Sequence, residues 1–163
     1  MTVAVTERPR GPRTASRQRL RLWLRILRAS RAIEGELRER LRLTYGITLP
    51  QFDVMAALYR RATGGMTMTE LSRFLMVSNG NVTGIIDRLV TDGLVARKAD
   101  AGDRRAILVE LTPAGVVKFG EMAEVHEGWI DELLSEFTKA EAAELIGHLD
   151  GLADRIRNGG RRA

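Results

Sequence analysis

The stretch SNGNVT, residues 78–83, places short, uncharged hydrogen-bonding side chains close together. These side chains belong to Ser78, Asn79, Asn81 and Thr83. Hydroxyl and carboxamide groups of this size can exchange hydrogen bonds with the base edges in the major groove of duplex DNA. A later stretch, RKADAGDRR, adds cations that can bind phosphates, namely Arg97, Lys98, Arg104 and Arg105. Arg73 is a further phosphate candidate, so these residue types together indicate chemistry with a polyanion.

Two glycines interrupt the first stretch, although glycine costs about 1 kcal/mol against alanine inside a helix. They are Gly80 and Gly84. A helix without Cβ atoms at these positions can approach a groove wall closely, which would offset the cost. Each stretch taken alone also has an ordinary explanation, because an amphipathic surface helix or a charged turn has a similar composition. The interpretation therefore depends on the elements that position the two stretches.

Two short helices and a hairpin are predicted to carry these residues. Residues 67–70, TMTE, form a capping box, in which the threonine and the glutamate satisfy backbone N–H groups at a helix start. This helix ends near residues 76–77, and Ser78 can cap the next one, which runs to residues 92–93. LVARKA and AILVELT then alternate around DAGDRR and predict a β-hairpin. This order is that of a winged helix-turn-helix, whose second helix enters the major groove and whose basic wing can reach the minor groove.

Helices with apolar stripes flank this lobe on both sides and give a mainly α fold with a small β-wing. The predicted organisation is a disordered basic arm (1–15), an N-terminal dimerisation helix (16–45), the DNA-binding lobe (46–111), C-terminal dimerisation helices (112–157) and a tail (158–163). The C-terminal helices begin at a Thr-Pro pair and at a second capping box, residues 138–141. A small lobe could not bury all these stripes. We therefore expect an isologous homodimer with recognition helices about 34–36 Å apart, the alternative being a monomer with a helical cap.

Composition excludes several kinds of site. The net charge of +5 is uneven, because residues 1–31 contain nine arginines and one glutamate, whereas residues 112–163 contain six basic and ten acidic residues. A basic front indicates a polyanionic partner, although a solvated tail or a transit peptide would have the same composition. The chain has no cysteine, which excludes disulfides and thiol switches, and we expect no metal or cofactor. No apolar run has the length of a membrane span, and the start lacks the apolar core of a secretory signal, so we expect a cytoplasmic protein.

Several segments resemble the MarR family of bacterial transcription regulators over about residues 18–157. The most distinctive are DRLVTDGLV, the D-x-R of Asp103 and Arg105, and LTPAG. The resemblance implies winged-helix homodimers that bind pseudo-palindromic operators, mostly as repressors released by a small ligand. It also implies base contacts from residues 78–83, a minor-groove role for Arg105, and orientation of that arginine by Asp103. Gly84 departs from the family pattern, in which a larger polar or basic residue is common, so we expect fewer contacts from this helix and more from the wing.

The same resemblance implies a ligand cavity for aromatic or phenolic acids or acyl-CoA thioesters. Its walls would come from three helices, through Trp23, Leu27, Arg31, Phe52, Met55, Met122 and His126. An arginine could pair with a carboxylate, an aromatic side chain could stack on a ring, and the histidine could change charge near neutrality. The alternatives are a core tryptophan, a solvated arginine and a histidine satisfied at a helix interface.

The sequence thus predicts a ligand-responsive, homodimeric transcription repressor that binds an operator in double-stranded DNA. An architectural protein that coats DNA without operator choice is the alternative, and a helical protein-interaction module is another class. We find no nucleophile elbow, phosphate loop, metal-ligand cluster or catalytic triad, so we do not expect an enzyme.

Overall fold

The computed structural model describes residues 11–61, 64–76, 78–99 and 107–159, with the side chains of residues 11–13 and of Asn79 outside that description. Its elements are α1 (Gly11–Tyr45), α2 (Leu49–Arg61), β1 (Met66–Thr67), α3 (Met68–Leu75), α4 (Asn79–Thr91), β2 (Val95–Ala99), β3 (Ile107–Leu111), α5 (Pro113–Leu133) and α6 (Lys139–Gly159). They group into two compact units, Met1–Gly120 and Glu121–Ala163, with the division inside α5. The domain boundaries proposed from the sequence differ from this division and stay a prediction.

Side-chain caps start the helices where the sequence predicts them. The Thr67 backbone N–H donates to Glu70 Oε2 at 2.8 Å, and the Glu70 N–H donates to Thr67 Oγ1 at 3.2 Å. The hydrogen bond from the Thr67 backbone is the main reason that the pKa of Glu70 is lowered. Thr138 and Glu141 repeat this geometry at the start of α6. Both predicted capping boxes are confirmed, and they fix where α3 and α6 begin.

Residues 76–78 separate α3 from α4 in the predicted helix-turn-helix. Met76 ends α3 in the left-handed region, with φ 54°, and its N–H donates to the Arg73 carbonyl at 3.4 Å. Ser78 then caps α4 as predicted, because its hydroxyl accepts from the Asn81 N–H at 3.4 Å. These two caps therefore fix where α3 ends and where α4 begins.

The wing is a three-stranded antiparallel sheet in the order β1-β3-β2. Strands β2 and β3 form the predicted hairpin, with Val95 opposite Leu111 and Ala99 opposite Ile107. Strand β1 was not predicted, and it pairs Met66 with Val109. Gly65 precedes it with φ +63°, and a Cβ there would lie 2.7 Å from the Val109 carbonyl oxygen. Only glycine fits this approach of two backbones.

The core of the first unit fills the space between α2, α3, α4 and the sheet. Its fully buried side chains are Leu41, Val54, Met55, Leu71, Val82, Ile86, Leu89 and Val109. Each large aliphatic side chain among them contributes about 1.5–3 kcal/mol through its removal from water. Phe119 extends this core, with its ring centroid 5.4 Å from that of Phe52 and 4.9 Å from that of Tyr59. The lobe that carries α4 is therefore well packed.

The terminal helices bury much less. Helix α1 is 35 residues long, about 52 Å, and begins at Gly11, five residues before the predicted start. Its fully or nearly fully buried side chains, Leu37 and Leu41, lie in its second half. Helix α6 has no buried residue, and its stripe of Leu145, Leu149, Leu152 and Ile156 is 43–67% exposed. Both helices thus present apolar faces that the described chain leaves open to water.

We expect Gly115→Ala to destabilise the protein by about 3 kcal/mol, because the added methyl group overlaps backbone. A Cβ at Gly115 would lie 1.9 Å from the Leu94 carbonyl oxygen. Thr112 holds the same junction, since its hydroxyl donates to the Gly93 carbonyl at 2.7 Å and accepts from the Gly115 N–H at 2.9 Å. Urea unfolding measures the effect, and Gly120→Ala in the same helix is the control, because its Cβ would meet nothing within 4 Å. Equal unfolding midpoints for the two variants would contradict this packing.

Candidate DNA-binding interface

Helix α4 separates a buried apolar face from an exposed polar one. Val82, Ile86 and Leu89 have no exposed surface. Ser78, Asn81 and Thr83, all predicted to touch bases, are exposed at the start of the helix. Asn79 is the first residue of α4, and its side chain lies outside the described residues. The described members of this set are therefore all exposed near the start of α4, with Asn81 and Thr83 about 160° apart around the helix axis.

Packing among the described residues does not explain the glycines of α4. Within that part of the chain, a Cβ at Gly80 or Gly84 would meet nothing within 4 Å, and neither residue has positive φ. Alanine would fit at both positions. At a position inside a helix, alanine stabilises the helix by about 1 kcal/mol relative to glycine. The glycines are therefore explained either by a partner that binds the folded lobe or by the evolutionary history of the chain.

Two of the predicted phosphate-binding cations already have acidic partners. Arg97 Nη2 lies 2.6 Å from Asp87 Oδ1, and this ion pair ties β2 to α4. Lys98 Nζ pairs with Glu110 Oε1 across the hairpin. Both pairs are partly exposed, so each contributes little to stability, although the Arg97 pair links two elements of the lobe. Phosphates would have to compete with these carboxylates for either cation.

The remaining candidates divide between the surface and the undescribed turn. Arg73 is exposed on α3, and no ion pair involves it in the described part of the chain. Asp103, Arg104 and Arg105 lie outside the described residues, so their roles remain predictions.

Sequence reasoning missed the two acidic partners, Asp87 and Glu110. The register gives a signal for Glu110, because Ala96 pairs with Glu110 and Lys98 with Leu108. Lys98 and Glu110 are therefore diagonal neighbours on one face of the hairpin, which a register assigned from the alternating pattern would have indicated. Asp87 precedes Arg97 by ten residues in another element, and no local pattern joins them.

An open groove of about 680 Å³ lies beside α4 in the first unit. It runs between the start of α2 and α4, and its lining includes Asp53, Asn81, Gly84 and Arg88. Burial raises the pKa of the Asp53 carboxyl, and the nearby Glu34 carboxylate raises it further. This carboxyl is therefore costly to ionise in the folded state.

We expect Asp53→Asn to stabilise the protein near pH 7, by less than about 1 kcal/mol because the site is partly solvated. A carboxyl whose pKa is raised on folding destabilises the fold when ionised, so the gain is present above the raised pKa. It is lost as the pH falls through that pKa and is absent below the unfolded value near 3.8. Thermal unfolding at several pH values measures this, with Asp150→Asn on exposed α6 as the control. A gain that persists at pH 3 would contradict the assignment.

The predicted ligand residues fall in both units. In the first unit, Phe52 packs on Phe119 and Met55 is fully buried, whereas Trp23 on α1 is 57% exposed. Leu27 is half-buried and Arg31 exposed on the same helix. In the second unit, Met122 is fully buried, and burial lowers the pKa of the half-buried His126. The set as a ligand site stays a prediction.

The described ranges contain neither a membrane-spanning helix nor a metal-binding cluster. No helix there is both long and apolar enough to cross a membrane. Over the same residues, no group of three or more histidine, cysteine, aspartate or glutamate side chains is arranged to hold a metal ion.

The well-packed lobe exposes the polar start of α4, the second helix of the helix-turn-helix, and carries a β-wing. These features define a winged helix-turn-helix DNA-binding protein. This chain belongs to the MarR family, whose sequence profile matches residues 45–106. It is 32% identical over 130 residues to the transcriptional activatory protein BadR of Rhodopseudomonas palustris, covering 78% of this chain and 69% of BadR. The chain is therefore a DNA-binding transcriptional regulator, not an enzyme.

Solved structures support the same assignment. A mutant of Escherichia coli MarR in complex with operator DNA matches with a TM-score of 0.72 and 29% identity, covering 83% of this chain and 95% of that one. BpsR of Bordetella bronchiseptica, described with regulation of its DNA binding by 6-hydroxynicotinic acid, matches with a TM-score of 0.67 and 26% identity, covering 79% of this chain and 90% of BpsR.

Proposed function

We propose that this regulator is a homodimeric repressor that binds a pseudo-palindromic operator and is released by a small aromatic or phenolic acid or an acyl-CoA thioester. The observation that most directly supports this proposal is the exposed start of α4. There, hydrogen-bonding side chains alternate with glycines that no internal contact requires. Helix α4 also has no acidic residue in its first turn, so its N-terminal end favours an anionic partner such as a phosphate.

The apolar faces of the terminal helices support the dimer. Leu149 and Leu152 in α6 and Leu22 and Ile26 in α1 are all more than one-third exposed. Contiguous apolar surface of this kind is unusual on a soluble monomer and typical of an interface. A second copy with the same faces would cover them about a two-fold axis, which also repeats α4 for the two halves of a palindrome.

The ligand is supported by chemistry on α1 and by one relative. Trp23 offers an exposed aromatic ring, and Arg31, two turns along the helix, offers a guanidinium that can bind a carboxylate in a bidentate manner. BpsR, a relative, is described with regulation by 6-hydroxynicotinic acid, an aromatic acid. We extend that ligand class to this chain as part of the proposal.

A footprint on the promoter of its own gene tests the function. We expect discrete, two-fold symmetric protection over a span of about two DNA turns, with specific binding about 10³-fold or more tighter than to a scrambled duplex. A panel of aromatic acids and their CoA thioesters should include a compound that releases the DNA. Uniform coating without preferred sites would instead support an architectural role and refute the operator-binding proposal.

We expect Gly84→Ala to stabilise the fold by about 1 kcal/mol and at the same time to weaken operator binding. The methyl group meets nothing in the free protein but occupies space through which α4 approaches the groove. Thermal unfolding and operator titration measure the two effects, and Gly147→Ala in α6 is the control for helix stabilisation alone. A stabilised variant with unchanged affinity would show that the groove leaves room at this position.

A further inference from the structure

Helices α1 and α5 each carry a stripe of like charge. The arginine stripe consists of Arg17, Arg21, Arg25 and Arg28. The acidic stripe consists of Glu121, Glu124, Glu127 and Asp131. At 3.6 residues per turn, the arginines fall within about 80° of arc and the acids within about 120°. All eight side chains are exposed, and no ion pair involves them in the described part of the chain.

Neither stripe can be neutralised on its own helix over its length. The first acid of α1 is Glu34, beyond the reach of the arginine stripe, and the only cation of α5 is Lys118, which lies over the Tyr45 ring at 5.0 Å. Elsewhere on α1 the charges do pair locally, as in Arg40 with Glu36 at 2.7 Å. Like charges at i and i+4 destabilise a helix by about 0.2–0.5 kcal/mol per pair. Both stripes are therefore costly until opposite charge covers them.

The two stripes match in length and sign. At 1.5 Å per residue, the arginine stripe extends over about 16 Å and the acidic stripe over about 15 Å. Leu20 and Leu24, both exposed, lie along the edge of the arginine stripe, so a surface docked there would also cover apolar area. The match in length allows several charges to pair in one register.

We propose that the arginine stripe of one protomer docks against the acidic stripe of a second copy, an inference that rests on the homodimer of the proposed function. A two-fold dimer forms this contact twice, because every copy supplies both stripes. Duplex DNA would also attract the arginines, but it would leave the acidic stripe uncovered and would repel it. A second copy covers both stripes, and this complementarity favours it as the occupant.

Charge reversal tests the docking. The first variant is Arg21→Glu with Arg25→Glu, and the second is Glu124→Arg with Glu127→Arg. The control, charge-matched to the first variant, is Arg60→Glu with Lys139→Glu, two exposed positions outside the stripes. Sedimentation measures each dimer dissociation constant in full-length protein at about 0.05 M and about 0.5 M salt, where screening lengths differ severalfold. Circular dichroism checks that every variant folds.

Each stripe variant alone should raise the dissociation constant about ten- to hundredfold at low salt, and much less at high salt. The control should stay within about threefold of the wild type. Mixing the two stripe variants should restore wild-type affinity as a heterodimer, detected by native mass spectrometry. In that heterodimer both contacts again join opposite charges, each between different copies. A single chain carrying all four substitutions should also regain affinity, because its reversed stripes are complementary to each other.

Three results would overturn the docking. Unchanged dimerisation in both stripe variants would mean that the stripes are solvated faces. Rescue in the fourfold variant without rescue by mixing would mean that the stripes meet within one chain. Unchanged dimerisation with weakened DNA binding in the first variant would assign the arginines to DNA. Failure of the proposed function is separate, because it would appear as a wild-type monomer or as wild-type protein without operator binding.

Discussion

Leu149→Asp combined with Leu152→Asp is expected to convert the protein into a monomer and to lower operator affinity by at least about a hundredfold. Both leucines lie in the stripe of α6 that the described chain leaves about half exposed, so the change removes little packing within one protomer. In a dimer, each aspartate would be buried against apolar surface without a partner, which costs several kcal/mol. The loss of affinity follows because a monomer binds only one half-site and loses the high effective concentration of the second reading helix.

Sedimentation velocity and an operator titration measure this pair of effects. Ala143→Asp combined with Gly147→Asp is the matched control, because these exposed residues lie on the opposite face of α6. Both proteins should keep their helical circular dichroism. A Leu149→Asp, Leu152→Asp protein that remained a dimer would place the interface elsewhere.

Asn81→Ala is expected to weaken operator binding about 5- to 150-fold, which corresponds to about 1–3 kcal/mol, while binding to unrelated DNA changes little. Asn81 is exposed at the start of α4, and its backbone N–H is already used by the Ser78 cap, so only the carboxamide is lost. A carboxamide that reads a base edge contributes discrimination against the wrong base pair. Removal of such a contact lowers affinity for one sequence without lowering the number of neutralised phosphates.

Fluorescence anisotropy with operator and scrambled duplexes, over a range of salt, separates these contributions. The salt dependence of Asn81→Ala should equal that of the wild type. Arg73→Ala provides the contrast, because loss of one phosphate contact in each protomer weakens binding to all sequences and reduces the slope of log affinity against log salt by about 2 for the dimer. An equal loss on both duplexes for Asn81→Ala would remove this residue from base readout.

Local chemistry made much of the fold predictable. A capping box places its threonine and glutamate three residues apart, so Thr67 and Glu70 identify the start of α3 without knowledge of the rest of the protein. Apolar and polar residues alternate along β2 and β3 over enough positions for the strands to be recognised, whereas the two residues of β1 are too few to show a periodic pattern. The sequence predicts that Gly11 and Pro12 belong to a disordered arm, and this prediction is wrong because both lie in α1. Proline is tolerated in the first helical turn, where its missing N–H has no partner to lose, and α1 begins there.

The residue types of the candidate site could be predicted from the sequence, but the ion pairs that join its elements could not. The exposed polar start of α4 follows from the position of the cap and the apolar spacing of Val82, Ile86 and Leu89. The ion pair between Asp87 and Arg97 depends on how α4 packs beside β2, which is tertiary information. Arg97 was therefore assigned to phosphates alone, although the structure also makes it a tie between the helix and the wing.

The empty space around Gly80 and Gly84 has a consequence for how such regulators diversify. Substitutions there change the surface offered to a duplex without disturbing the interior, so folding imposes almost no constraint on them. A lineage could acquire a new target by altering these two codons while inheriting its scaffold unchanged.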